Sequence, residues 1–372
     1  MYYFDHSATT PLLPEVTRLM NNINKEAFGN PSSIYSLGRK SRNIIETARN
    51  QVAKSISARP DQIIFTSGGT ESNNQVFWSL INGGRKHVVS NVIEHPAVLN
   101  VLNFLNKFGL KHNLANVDTD GIVSIDEIDN AISSETSLIS LMLANNEIGT
   151  LQPVKEIVEI ANKKGILVHT DAVQCLGKFN LDVTELGVDF LSLSAHKFYG
   201  PKGIGALYVK EPNKLPSLII GGSQEKNHRA GTENISAIAG MGLAAENSIK
   251  SLNKKVNALI DLEGQFKKGL NKFYKTAILN GNQSQKLPGL ISISFPKTRS
   301  DILMKKLDRE GISVSNGSAC GSGDIKPSPV LSAIGLDDPT NLSTLRFSFG
   351  SSNTSDQISY LLHKLESILL KS

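Results

Sequence analysis

Apolar residues recur at helical spacing between Arg39 and Ile56, where Ile45, Ala48, Val52 and Ile56 share one face. Downstream the pattern changes. QIIFTSGGTES, HVVSNVIEH, SLISLMLANNEIG, GILVHTDAVQ, FLSLSAHK and GIGALYVK follow in order, each a short apolar run ending in glycine or polar residues. These read as strands, and helical segments such as Val154–Lys164 separate several of them. Near-continuous apolar strands alternating with helices predict an α/β domain whose mostly parallel sheet is covered on both faces. Ser251–Phe273 reads as a polar, amphipathic helix linking this domain to a smaller one. The last helix starts at Thr354, with a T-x-x-Q capping box to Gln357. It is expected to bury Ile358, Leu361, Leu362, Leu365 and Leu369.

Composition narrows the class. Of 372 residues, 40% are hydrophobic and 20% charged, which excludes a disordered or fibrous chain. The net charge is +5, but the basic residues are scattered, so no nucleic-acid footprint is expected. The N-terminal MYYFDHSATTPLLP has no apolar core of a targeting segment, and Leu138–Ala144 is far too short to span a bilayer. A soluble cytoplasmic protein is expected. Two cysteines, Cys175 and Cys320, cannot build a disulfide framework, and a reducing compartment follows.

Ligands of open α/β sheets bind beyond the carboxyl ends of the strands. Five predicted strand ends carry polar residues there: Thr66–Glu71, Glu94–His95, Asn145–Glu147, Asp171–Gln174 and Ser194–Lys197. Thr66–Glu71 is a strand, a glycine pair and then a helix from about Glu71. That geometry aims backbone N–H groups at an anion. It matches neither GxxxxGK[ST] nor GxGxxG, so a small phosphate suits it better than a nucleotide. Lys197, just past an apolar strand, can be desolvated into a neutral amine nucleophile. A Schiff-base lysine, an acid such as Asp171 for a pyridinium N–H, and a phosphate turn are what pyridoxal 5′-phosphate requires. His95 can stack on such a ring and move protons, or play the structural part more usual for a lone histidine. No metal-ligand spacing is present, and no G-x-S-x-G elbow supports serine hydrolysis. Cys320 lies in a Ser/Gly-rich run without apolar periodicity, read as a mobile loop offering an accessible thiol. Cys175 lies in an apolar stretch and reads as buried and inert. Arg346, in the alternating TLRFSFG, can clamp a carboxylate from a strand or make an ordinary ion pair.

FDHSATTP, GNPSS, IIFTSGGTESNN, IEHPAVL, NNEIGTLQPV, HTDAVQ, SAHKFYGPKGIGALY, RAGTEN, NGSAC and LRFSFG occur in this order. Together they resemble cysteine desulfurases of the NifS/IscS type, class V members of the fold-type I pyridoxal-phosphate enzymes. The resemblance spans essentially the whole chain. It implies Lys197 as the Schiff-base lysine, Asp171 at the pyridine nitrogen, Gln174 at the ring hydroxyl and His95 stacked as acid/base. It implies Gly69, Thr70, Ser194 and His196 at the phosphate, with Thr232 reaching the phosphate of the other subunit of a homodimer. Asn146 would lie beside cofactor and substrate, and Arg346 would bind the carboxylate of L-cysteine. Cys320 would take the sulfur as a persulfide, leaving L-alanine, and pass it to an acceptor such as an iron–sulfur scaffold or a tRNA-thiolation enzyme. The spacing from SNGSAC to PSPVL is that of the long-loop group, with Asn316 where many relatives have Ser. The chain stops soon after its last helix, where longer relatives carry a tail that docks an iron–sulfur scaffold. A large domain over 15–250 and a small α+β domain from 1–14 and 251–372 are expected. Within the same fold the alternatives are a selenocysteine lyase or a small-molecule aminotransferase, which needs no loop thiol. Outside it stands an idle sulfur-assembly scaffold.

Overall fold

The computed structural model describes residues 1–250, 252–316 and 326–370. Cys320 and its immediate surroundings, 317–325, therefore lie outside the described residues. The strands in chain order are β1 Tyr2–Tyr3, β2 Ile63–Thr66, β3 His87–Asn91, β4 Lys111–Ala115, β5 Thr136–Ser140, β6 Leu167–Asp171, β7 Phe190–Ser194, β8 Gly205–Val209, β9 Ile278–Asn280, β10 Leu290–Ser294, β11 Ile312–Ser313 and β12 Thr344–Ser348. Seven form one sheet in the order β2-β8-β7-β6-β5-β3-β4. Its pairings are parallel from β7 through β6, β5 and β3 to β4, and antiparallel only on the two sides of β8. Because β8 runs against both neighbours, β2 points the same way as β7. The carboxyl ends of β2, β3, β5, β6 and β7 thus meet at one edge, as the apolar runs predict.

The central strands β3, β5, β6, β7 and β8 are largely buried, as their continuous apolar runs require. Edge strand β4, KHNLA, is mostly exposed and carries no such run, so the sequence pattern alone does not reveal it. Helices α1 Pro14–Glu26 and α2 Ser36–Ser55 pack with the helix Ile235–Ile249 on one flank of the sheet. Ile45, Ala48, Val52 and Ile56 are all buried there. Gly242 permits the close approach of the last of these helices, since a Cβ on it would stand 2.6 Å from the Ala48 Cα. Helices α3 Gly69–Asn82 and α4 Pro96–Leu105 cover the other flank.

A second core gathers around the three-stranded sheet β12-β10-β9, whose pairings are antiparallel. The helices Leu252–Phe273 and Ser355–Leu370 close over it. Phe4, Phe266, Phe295, Phe347 and Phe349 form its centre, and Phe266 lies 4.9 Å from Phe347 ring to ring. The last helix buries Ile358, Leu361, Leu365 and Leu369 as expected, while Leu362 is half-buried. Its capping box is only half formed. Gln357 N–H donates to Thr354 Oγ1 at 3.4 Å, but the Gln357 side chain accepts from Asn353 Nδ2 at 2.9 Å instead of returning to the backbone. No helix among the described residues is long and apolar enough to cross a membrane.

Candidate active site

A cavity of about 170 Å³ opens at the carboxyl edge of the large sheet. Each of the five polar strand ends contributes to its wall: Gly69 and Thr70 after β2, His95 after β3, Asn146 after β5, Asp171 and Gln174 from β6, and Ser194, His196 and Lys197 from β7.

The glycine turn after β2 is tighter than expected. The helix α3 begins at Gly69 rather than near Glu71, which brings the turn directly onto the helix N-terminus. Gly68, at φ 156°, precedes it, and a Cβ on Gly69 would stand 2.6 Å from Val173 Cγ2. The glycine therefore keeps open a cradle at the helix N-terminus, where unpaired N–H groups and the dipole favour an anion.

Lys197 reaches the cavity from the turn after β7. Its Nζ donates to the carbonyls of Ser7 and Ala8 at 2.5 and 2.9 Å. Burial, then the Arg346 and Lys178 charges, push its pKa down to about 7, against the pull of Asp171 and Asp5. A large fraction of the amine is thus neutral at physiological pH. Asp171 closes β6, where its Oδ2 accepts from Asn73 Nδ2 at 2.8 Å and its Oδ1 from Val173 N–H at 3.0 Å. Those bonds hold the carboxylate in place at the cavity wall.

His95 is the N-cap of α4, and its Nδ1 accepts from Ala97 N–H at 3.0 Å. That leaves Nε2 to carry the proton of a neutral ring. Loss of hydration in the cleft, helped by Lys197 and opposed by Asp171, lowers its pKa. His196 is lowered further, to about 4, by burial and by Lys197 and Lys202. Gln174 Nε2 donates to the Ser7 carbonyl at 2.9 Å, whereas its Oε1 is buried with no partner among the described residues. A buried acceptor left open at a cavity wall suits a ligand that brings a hydroxyl. Cradle, open acceptor, anchored carboxylate and neutral amine together fit pyridoxal 5′-phosphate.

Two expected residues do not border this cavity. Arg346 is buried in the middle of β12, where Nη2 pairs with Asp5 Oδ1 at 2.7 Å and Nη1 donates to the Asn146 carbonyl at 2.8 Å. It stands beside the site through Asn146, and its Nε has no partner among the described residues. Thr232 is exposed in the irregular stretch before Ile235–Ile249. Cys320 lies outside the described residues. Cys175 is fully buried, and burial raises its thiol pKa, so it stays protonated.

Other contributors were given no role by the sequence reading. Ser7 and Ala8 act through backbone carbonyls, and Asn73 acts from one helical turn past the start of α3. Lys178 is buried, its Nζ without a partner among the described residues, and burial lowers its pKa to about 8. The signal available for Asn73 was its place in TESNN, directly after the turn that the sequence singles out.

Residues 2–361 match the family model described as aminotransferase class-V. The cysteine desulfurase IscS of Dictyoglomus turgidum is 46% identical over 373 residues, covering 99% of this chain and 94% of its own. Among solved structures, a NifS-like protein superposes with a TM-score of 0.94 at 34% identity, with both chains fully covered. SspA, solved in complex with cysteine, gives 0.85 at 33% identity, covering 95% of this chain and all of its own. The chain therefore belongs to the class-V aminotransferase family and, within it, to the cysteine desulfurases of the NifS/IscS type.

Proposed function

We propose that this protein is a pyridoxal 5′-phosphate-dependent cysteine desulfurase that converts L-cysteine to L-alanine and holds the sulfur as a persulfide on Cys320. The observation that carries this reading is a Lys197 amine, held by two backbone carbonyls and with its pKa lowered by burial, and an anchored Asp171 carboxylate lining one cavity at the sheet edge. Gly69, Thr70, Ser194 and His196 would hold the phosphate, Asp171 the pyridine nitrogen and Gln174 the ring hydroxyl. His95 would lie against the ring. When bound, the cofactor supplies a carbonyl for amine exchange and an electron sink for charge developing at the substrate Cα.

The chain's residues do the rest. Lys197 would hold the cofactor and, as a free amine, would move the Cα proton as a general base, which its lowered pKa permits at neutral pH. Arg346 and Asn146 bind the substrate carboxylate, for which the Arg346–Asp5 pair must open or share its guanidinium. The Cys320 thiolate attacks the substrate sulfur. An S–S bond forms, the substrate C–S bond breaks, and its electron pair stays with the carbon skeleton, which leaves as alanine after protonation. The persulfide then goes to an acceptor, an iron–sulfur scaffold or a tRNA-thiolation enzyme.

We read 15–250 as the large domain, and 1–14 with 251–372 as the small domain that brings in Arg346 and Cys320. We also infer a homodimer in the reducing cytoplasm, with Thr232 completing the neighbouring site. Phe28, Ile34 and Ile220 are 72%, 89% and 90% exposed, large apolar side chains of the kind a subunit contact covers. Mass spectrometry of the protein treated with L-cysteine tests the mechanism. One added sulfur on Cys320 and none on Cys175 is expected. Alanine release without that adduct, or an adduct on Cys175, overturns the persulfide role.

A further inference from the structure

Strand β2 is an edge of the large sheet, and an edge strand turns backbone N–H and C=O groups outward. Side chains take them here. Phe65 N–H donates to Glu225 Oε2 at 2.9 Å, and Arg49 Nη1 donates to the Ile63 carbonyl at 2.8 Å. Ser67 N–H, just past the strand, donates to Glu71 Oε2 at 2.8 Å. Each of these carboxylates is also gripped by a guanidinium. Arg49 meets both oxygens of Glu225, each at 2.7 Å. Arg229 meets both oxygens of Glu71, at 3.0 and 3.3 Å. Arg49 and Glu225 are buried, and the guanidinium lies 4.9 Å from the Phe65 ring centre.

Glu225 and Arg229 belong to one stretch, 221–234, which enters the helix Ile235–Ile249. Within it Glu225, Lys226 and Asn227 stand at φ 45°, 55° and 68°. Three successive non-glycine residues in the left-handed region are strained, and such strain persists only where the surroundings over-determine it. The two-pronged Arg49–Glu225 pair supplies that constraint. His228 N–H then bonds back to the Glu225 carbonyl at 3.0 Å, and the His228 carbonyl accepts from Gln75 Nε2 at 2.8 Å. The pinned stretch runs on to Gly231, at φ 103°, and to Thr232, which is exposed and does not border its own chain's cavity.

We propose that Glu225 is a positioning residue that acts across the subunit boundary, its clamp on Arg49 and the β2 edge setting the strained turn that presents Thr232 to the neighbouring subunit's cofactor phosphate. The proposal rests on the homodimer reading above. The Glu71–Arg229 pair fastens the far end of the same stretch to the first turn of α3. The element that serves one site is thus hung from the phosphate cradle of the other.

Mixed dimers test the direction of action. A Glu225→Gln chain is paired with a Lys197→Ala chain, so Lys197 exists only in the subunit with the damaged clamp, and that site faces an intact clamp. Bound pyridoxal phosphate is chased by dialysis. What remains is fixed to Lys197 with borohydride and counted by mass spectrometry. The Glu225→Gln homodimer should lose cofactor about tenfold faster than the unmodified protein, the scale of one charge-assisted hydrogen bond. The mixed dimer should retain it normally. Loss from the mixed dimer as fast as from the homodimer places the effect within one subunit and overturns the proposal, as does normal retention by the Glu225→Gln homodimer. Thr232→Ala in the same scheme separates the two readings. If its homodimer keeps the cofactor, the shared-site reading has failed; if it loses the cofactor and is rescued in trans while Glu225→Gln is not, only the role of Glu225 has failed. Light scattering checks that each variant is dimeric. Arg49→Lys, which keeps the charge and loses the two-pronged grip, should show the same trans pattern if Glu225→Gln does not fold.

Discussion

The large sheet brings polar side chains to the ends of five strands, while the three-stranded sheet contributes Arg346 from the middle of β12. Their cores differ in parallel. The first is aliphatic, with alanines where α2 meets Ile235–Ile249, so helices approach closely and hold the strand ends at fixed spacing. The second is built on phenylalanines, from Phe4 near the start of the chain to Phe349 near its end. Aromatic rings bury much area per residue, which a small sheet with few strands needs. One region therefore assembles the chemistry, and the other aims a cation at it through Asn146 and Asp5.

The sharpest way to separate these roles is Lys197→Ala. Activity should fall by at least about a thousandfold, since in the proposed mechanism this amine both links the cofactor and moves the proton. Stability should not fall with it. Burial holds the folded-state pKa of Lys197 at about 7 against 10.5 in the unfolded chain. The folded state then releases its proton more easily, so in the cofactor-free protein this lysine makes stability rise with pH between about 7 and 10.5. Melting temperatures across that range should climb less steeply in Lys197→Ala. An unchanged slope would mean that Lys197 is not desolvated.

Phe347→Ala attacks the other side of the comparison. The ring is fully buried against Phe266 and Phe295, and its loss should cost about 3–5 kcal/mol, read by denaturant titration. Protein that remains folded should still bind pyridoxal phosphate, because the cavity is lined from the other core. Loss of cofactor binding in folded protein would show that the two regions are not separable in this way.

Arg346→Ala tests the link between them. The apparent KM for L-cysteine should rise by about ten- to a hundredfold, the worth of a charged hydrogen bond to a carboxylate. After burial, the Arg346 charge is the next cause that lowers the Lys197 pKa. Its removal should move the pH at which Lys197 becomes reactive upward from about 7, measured by the pH dependence of cofactor uptake. A change in KM with an unmoved pH midpoint would confine Arg346 to substrate binding.

Much of this was legible in the sequence because buried parallel strands need unbroken apolar runs, and each run stops where the chain meets the cavity. The Thr66–Glu71 and Ser194–Lys197 ends are readable for that reason. Edge strand β4 was not, since a strand with mostly exposed residues needs no apolar run. Ser7 and Ala8 hold Lys197 by backbone carbonyls, which no side-chain motif reports. The Asp5–Arg346 pair joins residues 341 positions apart, and only the fold brings them together. Gln357 has the spacing of a reciprocal cap but finds a better partner in Asn353, a competition that spacing cannot decide.

The smallest expected effect belongs to Cys175→Ala. The thiol is fully buried in the aliphatic core, and burial raises its pKa, so no thiolate is present there at neutral pH to attack a sulfur. Lys178 partly offsets that rise, yet its own pKa is lowered to about 8 by the same burial, so it is a weakened counter-charge. Removing the sulfur atom leaves a small void, worth about 1 kcal/mol and seen as a melting shift of a few degrees. Sulfur loading by L-cysteine should be unchanged. If loading disappears with Cys175 instead, a buried thiol in the rigid region does the chemistry assigned to Cys320, and the division of labour between the two regions fails at its most specific point.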